Sequence, residues 1–195
     1  ETAVLAGRLQ LEIEPGMAFG TGQHATTQLC LRELERISAD LGSVAVTGSS
    51  LLDVGTGTGI LALAAHKLGF ARVAATDIDP DAVLAARNNA AMNDMRLDVA
   101  QMTVPSPAAA ANLPPAFQPP FNIVVANILK VVLEKILPDL AGAVAPGGLL
   151  LMSGLLQEDA RALTRQAEAL GLNYIRESYQ DDWAALVLTA PAGGA

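Results

Sequence analysis

The sequence is poor in the residues that would mark several common functional classes. It has a single cysteine, Cys30, which excludes an internal disulfide and a cysteine-based zinc site. Its two histidines, His24 and His66, have no partner at metal-ligand spacing, so no metal site is expected. Aromatic residues make up only 4%, leaving Ala, Leu, Val and Ile to fill the core. Cations are scarce, 12 Lys plus Arg against 20 Asp plus Glu, for a formal charge of −8. A dedicated nucleic-acid surface normally shows a basic stripe, so direct nucleic-acid binding is not expected. No apolar run is long enough to span a bilayer, and the first residues lack a basic-then-apolar secretory pattern. The expected setting is therefore a cytoplasmic protein without membrane contact. No Gly-x-Ser-x-Gly elbow occurs, which weakens a hydrolase reading.

With 51% hydrophobic residues in 195, the chain has enough apolar material for one buried core. Residues 8–14 alternate apolar and polar, the pattern of a half-exposed strand. After a turn-like stretch from Met17 to Gln23, Thr26 and Thr27 suit a helix start. Cys30, Leu34, Ile37 and Leu41 then give that helix an apolar face. From residue 50 strands alternate with helices. Strands are predicted at Leu51–Val54, Arg72–Thr76, Leu97–Val99, Phe121–Ala126 and Leu149–Met152. Helices are predicted at Ile60–Leu68, Pro80–Asn93, Val131–Val144 with a break at Pro138, and Gln157–Leu170. Two last strands, Asn173–Ser178 and Ala184–Thr189, are joined by a short turn and read as an antiparallel edge hairpin. This order predicts an α/β fold with a mostly parallel sheet. The expected organisation is a set of N-terminal elements over 1–49, a core over 50–190 and a flexible tail over 191–195. Residues 104–120 are rich in Pro and Ala and suit a mobile loop, either a surface insertion or a lid.

Chemistry is concentrated at three strand ends. The run DVGTGTG (Asp53 to Gly59) lies where the first core strand becomes a helix, making Asp53, Gly55, Gly57 and Gly59 candidate cofactor contacts. A glycine turn there can approach a ligand or can simply be tight. The third glycine falls one residue short of the dinucleotide fingerprint, so pyrophosphate is poorly matched. Asp77 ends the second strand, where a carboxylate can accept ribose hydroxyls. Asp79 precedes Pro80 and reads as a helix cap. Asn127 follows the fourth strand, beyond which open α/β sheets bind ligands, though an Asn there is also an ordinary turn or cap residue.

Taken together, EPGMAFGTGQHATT (Glu14 to Thr27), LDVGTGTGILA (Leu52 to Ala62), DIDP (Asp77 to Pro80) and ANIL (Ala126 to Leu129) resemble the PrmA family. Its members methylate amino groups of the large-subunit ribosomal protein numbered eleven, using S-adenosylmethionine. The resemblance runs from about residue 8 to Thr189. It implies a seven-stranded, Rossmann-like methyltransferase sheet with helices on both faces and an antiparallel C-terminal hairpin. It also implies S-adenosylmethionine contacts at Thr27, Gly55, Asp77 and Asn127. Asn127 would be the catalytic residue, orienting an amine through its side-chain oxygen. Related glutamine methyltransferases place Pro-Pro-aromatic after this Asn, whereas Ile128 and Leu129 follow here, which points to an amine acceptor. Full-length members carry a separate N-terminal domain that grips the ribosomal protein. The chain is then the catalytic part of a longer protein or a short relative with another substrate.

Overall fold

The computed structural model describes residues 9–14 and 22–193. The stretch from Pro15 to Thr21, central to the first family motif, lies outside the described residues. Seven strands form one sheet: β1 (Ser50–Val54), β2 (Arg72–Asp77), β3 (Asp98–Gln101), β4 (Phe121–Asn127), β5 (Val144–Leu156), β6 (Asn173–Gln180) and β7 (Trp183–Thr189). Their spatial order is β3-β2-β1-β4-β5-β7-β6. The first five pair in parallel, and β7 is antiparallel to both β5 and β6. The expected fold class and C-terminal hairpin are therefore present.

The central strands are largely apolar and, apart from Asn122, buried because helices cover both faces. One face carries α1 (Ala25–Leu41), the short α2 (Ser43–Thr47), α3 (Ile60–Leu68) and α4 (Pro80–Met92). The other carries α5 (Lys130–Ala143) and α6 (Gln157–Ala169). The chain winds outward from β1 to β3 and then returns to place β4 beside β1. The carboxyl ends of β1 and β4 thus flank the switch point, where doubly wound sheets open a crevice. Among the described residues no helix is long and apolar enough to cross a membrane.

Three local expectations are corrected. Residues 9–14 have no regular secondary structure and belong to no strand. Asn93 exchanges hydrogen bonds with the Glu12 backbone (2.9 and 2.7 Å), and Glu14 N donates to Asn89 Oδ1 at 2.9 Å. Two asparagine amides on α4 thus replace a strand partner, while Leu11 and Ile13 pack inward as the alternation requires. The threonines do not begin α1. His24 is its N-cap, accepting from Thr26 N at 3.4 Å, and Leu41 at the far end is exposed. Pro138 does not break α5, because Leu133, Leu137 and Leu140 are all buried on one side and hold both halves to the sheet.

Residues 104–120 connect β3 to β4, most of them exposed or half-buried. They form two 3-10 turns, Pro107–Asn112 and Pro115–Phe117, and bury Val104 and Phe117 in the core shared with α5 and α6. Arg72, at the amino end of β2, donates to the carbonyls of Pro115, Gln118 and Pro120. This ties the second half of the segment to the sheet edge opposite the crevice.

Candidate active site

The turn after β1 is built from the inside out. Asp53 is fully buried beneath it, and its Oδ2 accepts from Thr56 Oγ1 (2.6 Å) and Ala62 N (3.2 Å). Burial outweighs these bonds and pushes the carboxyl up to about 6. Asp53 Oδ1 is buried without a hydrogen-bond partner. The Cys30 thiol, also fully buried nearby, is driven upward by desolvation and then by Asp53, which makes it an inert packing group. The amides of Gly55 and Thr56 both donate to Thr76 O, fastening the turn to β2.

The glycines here have reasons beyond ligand approach. Gly55, Gly57 and Gly59 all have positive φ. A Cβ on Gly55 would lie 2.3 Å from Ile128 Cγ2, and one on Gly59 would lie 3.0 Å from the Ala86 Cβ on α4. The absent side chains therefore make room for protein neighbours. Gly57 N donates to Asp77 Oδ2 at 3.0 Å, and Asp79 N donates to Asp77 Oδ1 at 3.0 Å. Two backbone donors thus orient the Asp77 carboxylate at the end of β2, while each oxygen keeps a further lone pair. Asp79 Oδ1 instead accepts from Asp81 N, capping α4 ahead of Pro80. Ile78 between them is 70% exposed and offers an apolar face next to Asp77.

Across the switch point, Asn127 ends β4 and is only 8% exposed. Its Nδ2 donates to the hydroxyl of Thr27, on the first turn of α1, at 3.3 Å. Its Oδ1 is buried without a partner. An unpaired buried amide oxygen costs stability unless something else meets it. The fold thus brings Thr27, the glycine turn, Asp77 and Asn127 to one edge of the sheet and leaves Asp53 below it. Among the described residues no cluster of His, Cys, Asp and Glu is placed to hold a metal ion.

Sequence reasoning missed the clamp beside Asn127. Gly154, near the end of β5, has φ 89°, and a Cβ there would lie 2.1 Å from Ile128 O. Ile128 N donates to Ser153 O at 3.2 Å. The residue after Asn127 is therefore pinned between Gly55 and Gly154, on the turn and strand either side. A glycine inside an apolar strand run was the available signal. Sequence reasoning also missed Glu33, buried on α1 and bound by Arg176 (2.7 Å) and Ser178 of β6, and the edge-on contact of His24 with Trp183 at 4.9 Å.

A family model described as ribosomal protein L11 methyltransferase (PrmA) matches residues 2–191. A ribosomal protein L11 methyltransferase of Geobacter metallireducens is 43% identical over 94% of this chain and 56% of its own length. One from Symbiobacterium thermophilum is 41% identical over 98% of this chain and 58% of its own length. The chain thus spans a little over half the length of these relatives. The crystal structure of a ribosomal protein L11 methylase from Lactobacillus delbrueckii subsp. bulgaricus superposes with a TM-score of 0.81 at 29% identity, covering 98% of this chain and 90% of that one. On the extent of the family match and the identity to these relatives, the chain belongs to the ribosomal protein L11 methyltransferase family, PrmA.

Proposed function

We propose that the chain carries the methyl-transfer site of an S-adenosylmethionine-dependent enzyme whose acceptors are amino groups of ribosomal protein L11. The observation that carries this reading is the buried, unpartnered Oδ1 of Asn127 at the switch point. When bound, S-adenosylmethionine supplies an electrophilic methyl on a sulfonium and is left as S-adenosylhomocysteine. Asp77, oriented by Gly57 N and Asp79 N, uses its remaining lone pairs for the ribose hydroxyls. Ile78 flanks it with apolar surface. Thr27 holds Asn127 by its amide nitrogen, so that Oδ1 faces the acceptor and accepts an N–H of the amine. That bond aims the nitrogen lone pair, and the proton displaced on alkylation leaves to water. Alignment of this kind supplies much of the rate in a displacement that needs no covalent intermediate.

Methyl-labelled S-adenosylmethionine incubated with the chain and purified ribosomal protein L11, read by intact and peptide mass spectrometry, tests the assignment. Label on L11 amino groups is expected. Tight cofactor binding in calorimetry with no label on L11 would refute the acceptor. NAD binding as tightly as S-adenosylmethionine would refute the cofactor.

A further inference from the structure

The first turns of α5 and α6 lie at the carboxyl edge of the sheet, just beyond Asn127 and Ser153. Neither helix has a side-chain cap, because Leu129 and Leu156 occupy the N-cap positions. Ser, Thr, Asp or Asn there would satisfy a backbone N–H and hold the helix better. Leu129 already has the extended backbone of a capped residue, φ −55° and ψ 139°, so local conformation does not call for leucine. Its side chain is 68% exposed, Val131 is 68% exposed, and Val132 is exposed beside them. These aliphatic groups serve neither helix capping nor solubility, yet they gather at the mouth of the crevice next to Asn127.

Charge surrounds this patch. Lys130 Nζ bridges Glu134 at 3.2 Å and Asp159 at 3.3 Å. Gln157 donates through its backbone and side chain to the carbonyls of Asp182 and Asp181, drawing the β6–β7 turn against the start of α6. Glu134 and Asp159 therefore lie beside Lys130, next in the chain to Leu129 and Val131, and Glu158, Asp181 and Asp182 lie at the start of α6. Lys130 is the one cation in the first turn of either helix, and two carboxylates already occupy it. Lys135 follows Glu134 in the second turn of α5 and Arg161 lies in the second turn of α6, so the acids still outnumber the cations here. A phosphate backbone approaching this rim would meet like charge, whereas a cationic segment would meet opposite charge.

We infer that this patch is the docking surface for a basic polypeptide segment with aliphatic side chains, the segment that carries the acceptor amine. The inference rests on the methyl-transfer reading of the site but does not require that L11 be the acceptor.

Equilibrium binding by fluorescence anisotropy tests it without turnover. The chain, saturated with S-adenosylhomocysteine, is titrated into labelled short peptides holding one lysine flanked by basic and aliphatic residues, into acidic-flanked counterparts, and into single-stranded RNA. The basic peptide should bind at least about tenfold tighter than the acidic one, with the preference shrinking as salt rises. Glu158→Lys with Asp182→Lys should abolish the preference while leaving S-adenosylhomocysteine affinity unchanged in calorimetry. Leu129→Ser should weaken peptide binding and yet raise the melting temperature, since serine supplies the missing cap. Equal affinity for both peptides, stronger binding of RNA, or full peptide affinity in Leu129→Ser would each overturn the inference. A retained basic preference together with no methylation of L11 would support this surface and refute the L11 assignment.

Discussion

Gly154→Ala isolates the clamp on the residue that follows Asn127. The new Cβ would stand 2.1 Å from Ile128 O, 2.7 Å from its carbonyl carbon and 3.0 Å from its nitrogen, all backbone atoms without rotamers to yield. Opening the closest contact from 2.1 to even 3.0 Å requires a shift of about 0.9 Å. Holding alanine at φ 89° costs roughly 1–2 kcal/mol, and overpacking adds about 1–3 kcal/mol. The expected destabilisation is therefore about 2–5 kcal/mol. In the molecules that remain folded, moving the Ile128 carbonyl by about 1 Å tilts Asn127, and misplacement on that scale costs on the order of a hundredfold in rate. Gly171→Ala is the control, because its φ of 90° is nearly the same while nothing lies within 4 Å of the added carbon. It should lose only the conformational part and keep its methyl-transfer rate. Urea melts with single-turnover transfer at saturating cofactor measure both quantities. The reasoning would be refuted by a Gly154→Ala variant that is no less stable than Gly171→Ala and transfers methyl at the parent rate.

Asn127→Ala should slow single-turnover transfer at least about tenfold, roughly 1.4 kcal/mol of barrier, with a smaller loss of cofactor affinity than Asp77→Ala. A variant that melts earlier but turns over at the parent rate would reduce Asn127 to a structural residue. Asp77→Ala should weaken cofactor binding by roughly 2–3 kcal/mol in calorimetry, since it loses charged hydrogen bonds to the ligand. Asp79→Ala should mainly cost about 1 kcal/mol of stability as a lost cap, and equal binding losses from both variants would contradict this division. Asp53 has a folded carboxyl pKa of about 6 against an ordinary 3.8, so the folded state binds the proton more tightly. Its contribution to stability therefore falls as pH rises from 3.8 to about 6, and it is least favourable above that window. Urea unfolding of the parent and Asp53→Asn across that range should show the parent losing stability relative to the variant as pH rises. A pH-independent difference would contradict the assignment.

What the sequence determined by itself rests on short-range physics. Apolar runs, the glycine after Leu68 and the Asp79-Pro80 pair act within a turn or two of themselves. They placed α3 and the start of α4 correctly, and the reading of Asp79 as the cap of α4 followed from the same local chemistry. Asn127 was legible as a strand-end residue because the apolar run Ile123 to Ala126 leads directly to it. The alternation over residues 9–14 picked out Leu11 and Ile13 as inward side chains, although Leu9 is exposed, and was silent on what would pair with the backbone. That partner is a pair of asparagines on a helix about 75–80 positions away.

Only the tertiary structure decided the rest. The sheet order brings Gly154 against Ile128 and Ile128 against Gly55, so the meaning of both glycines lies in a neighbour that no local pattern names. The meeting of Thr27 with Asn127, 100 residues apart, likewise exists only because α1 packs across the carboxyl ends of the central strands. The burial that raises Asp53 depends on α1 and α3 closing over β1. Local sequence sets backbone propensity and capping, but desolvation, steric clearance and an unpartnered buried oxygen are properties of a site only after distant segments have enclosed it.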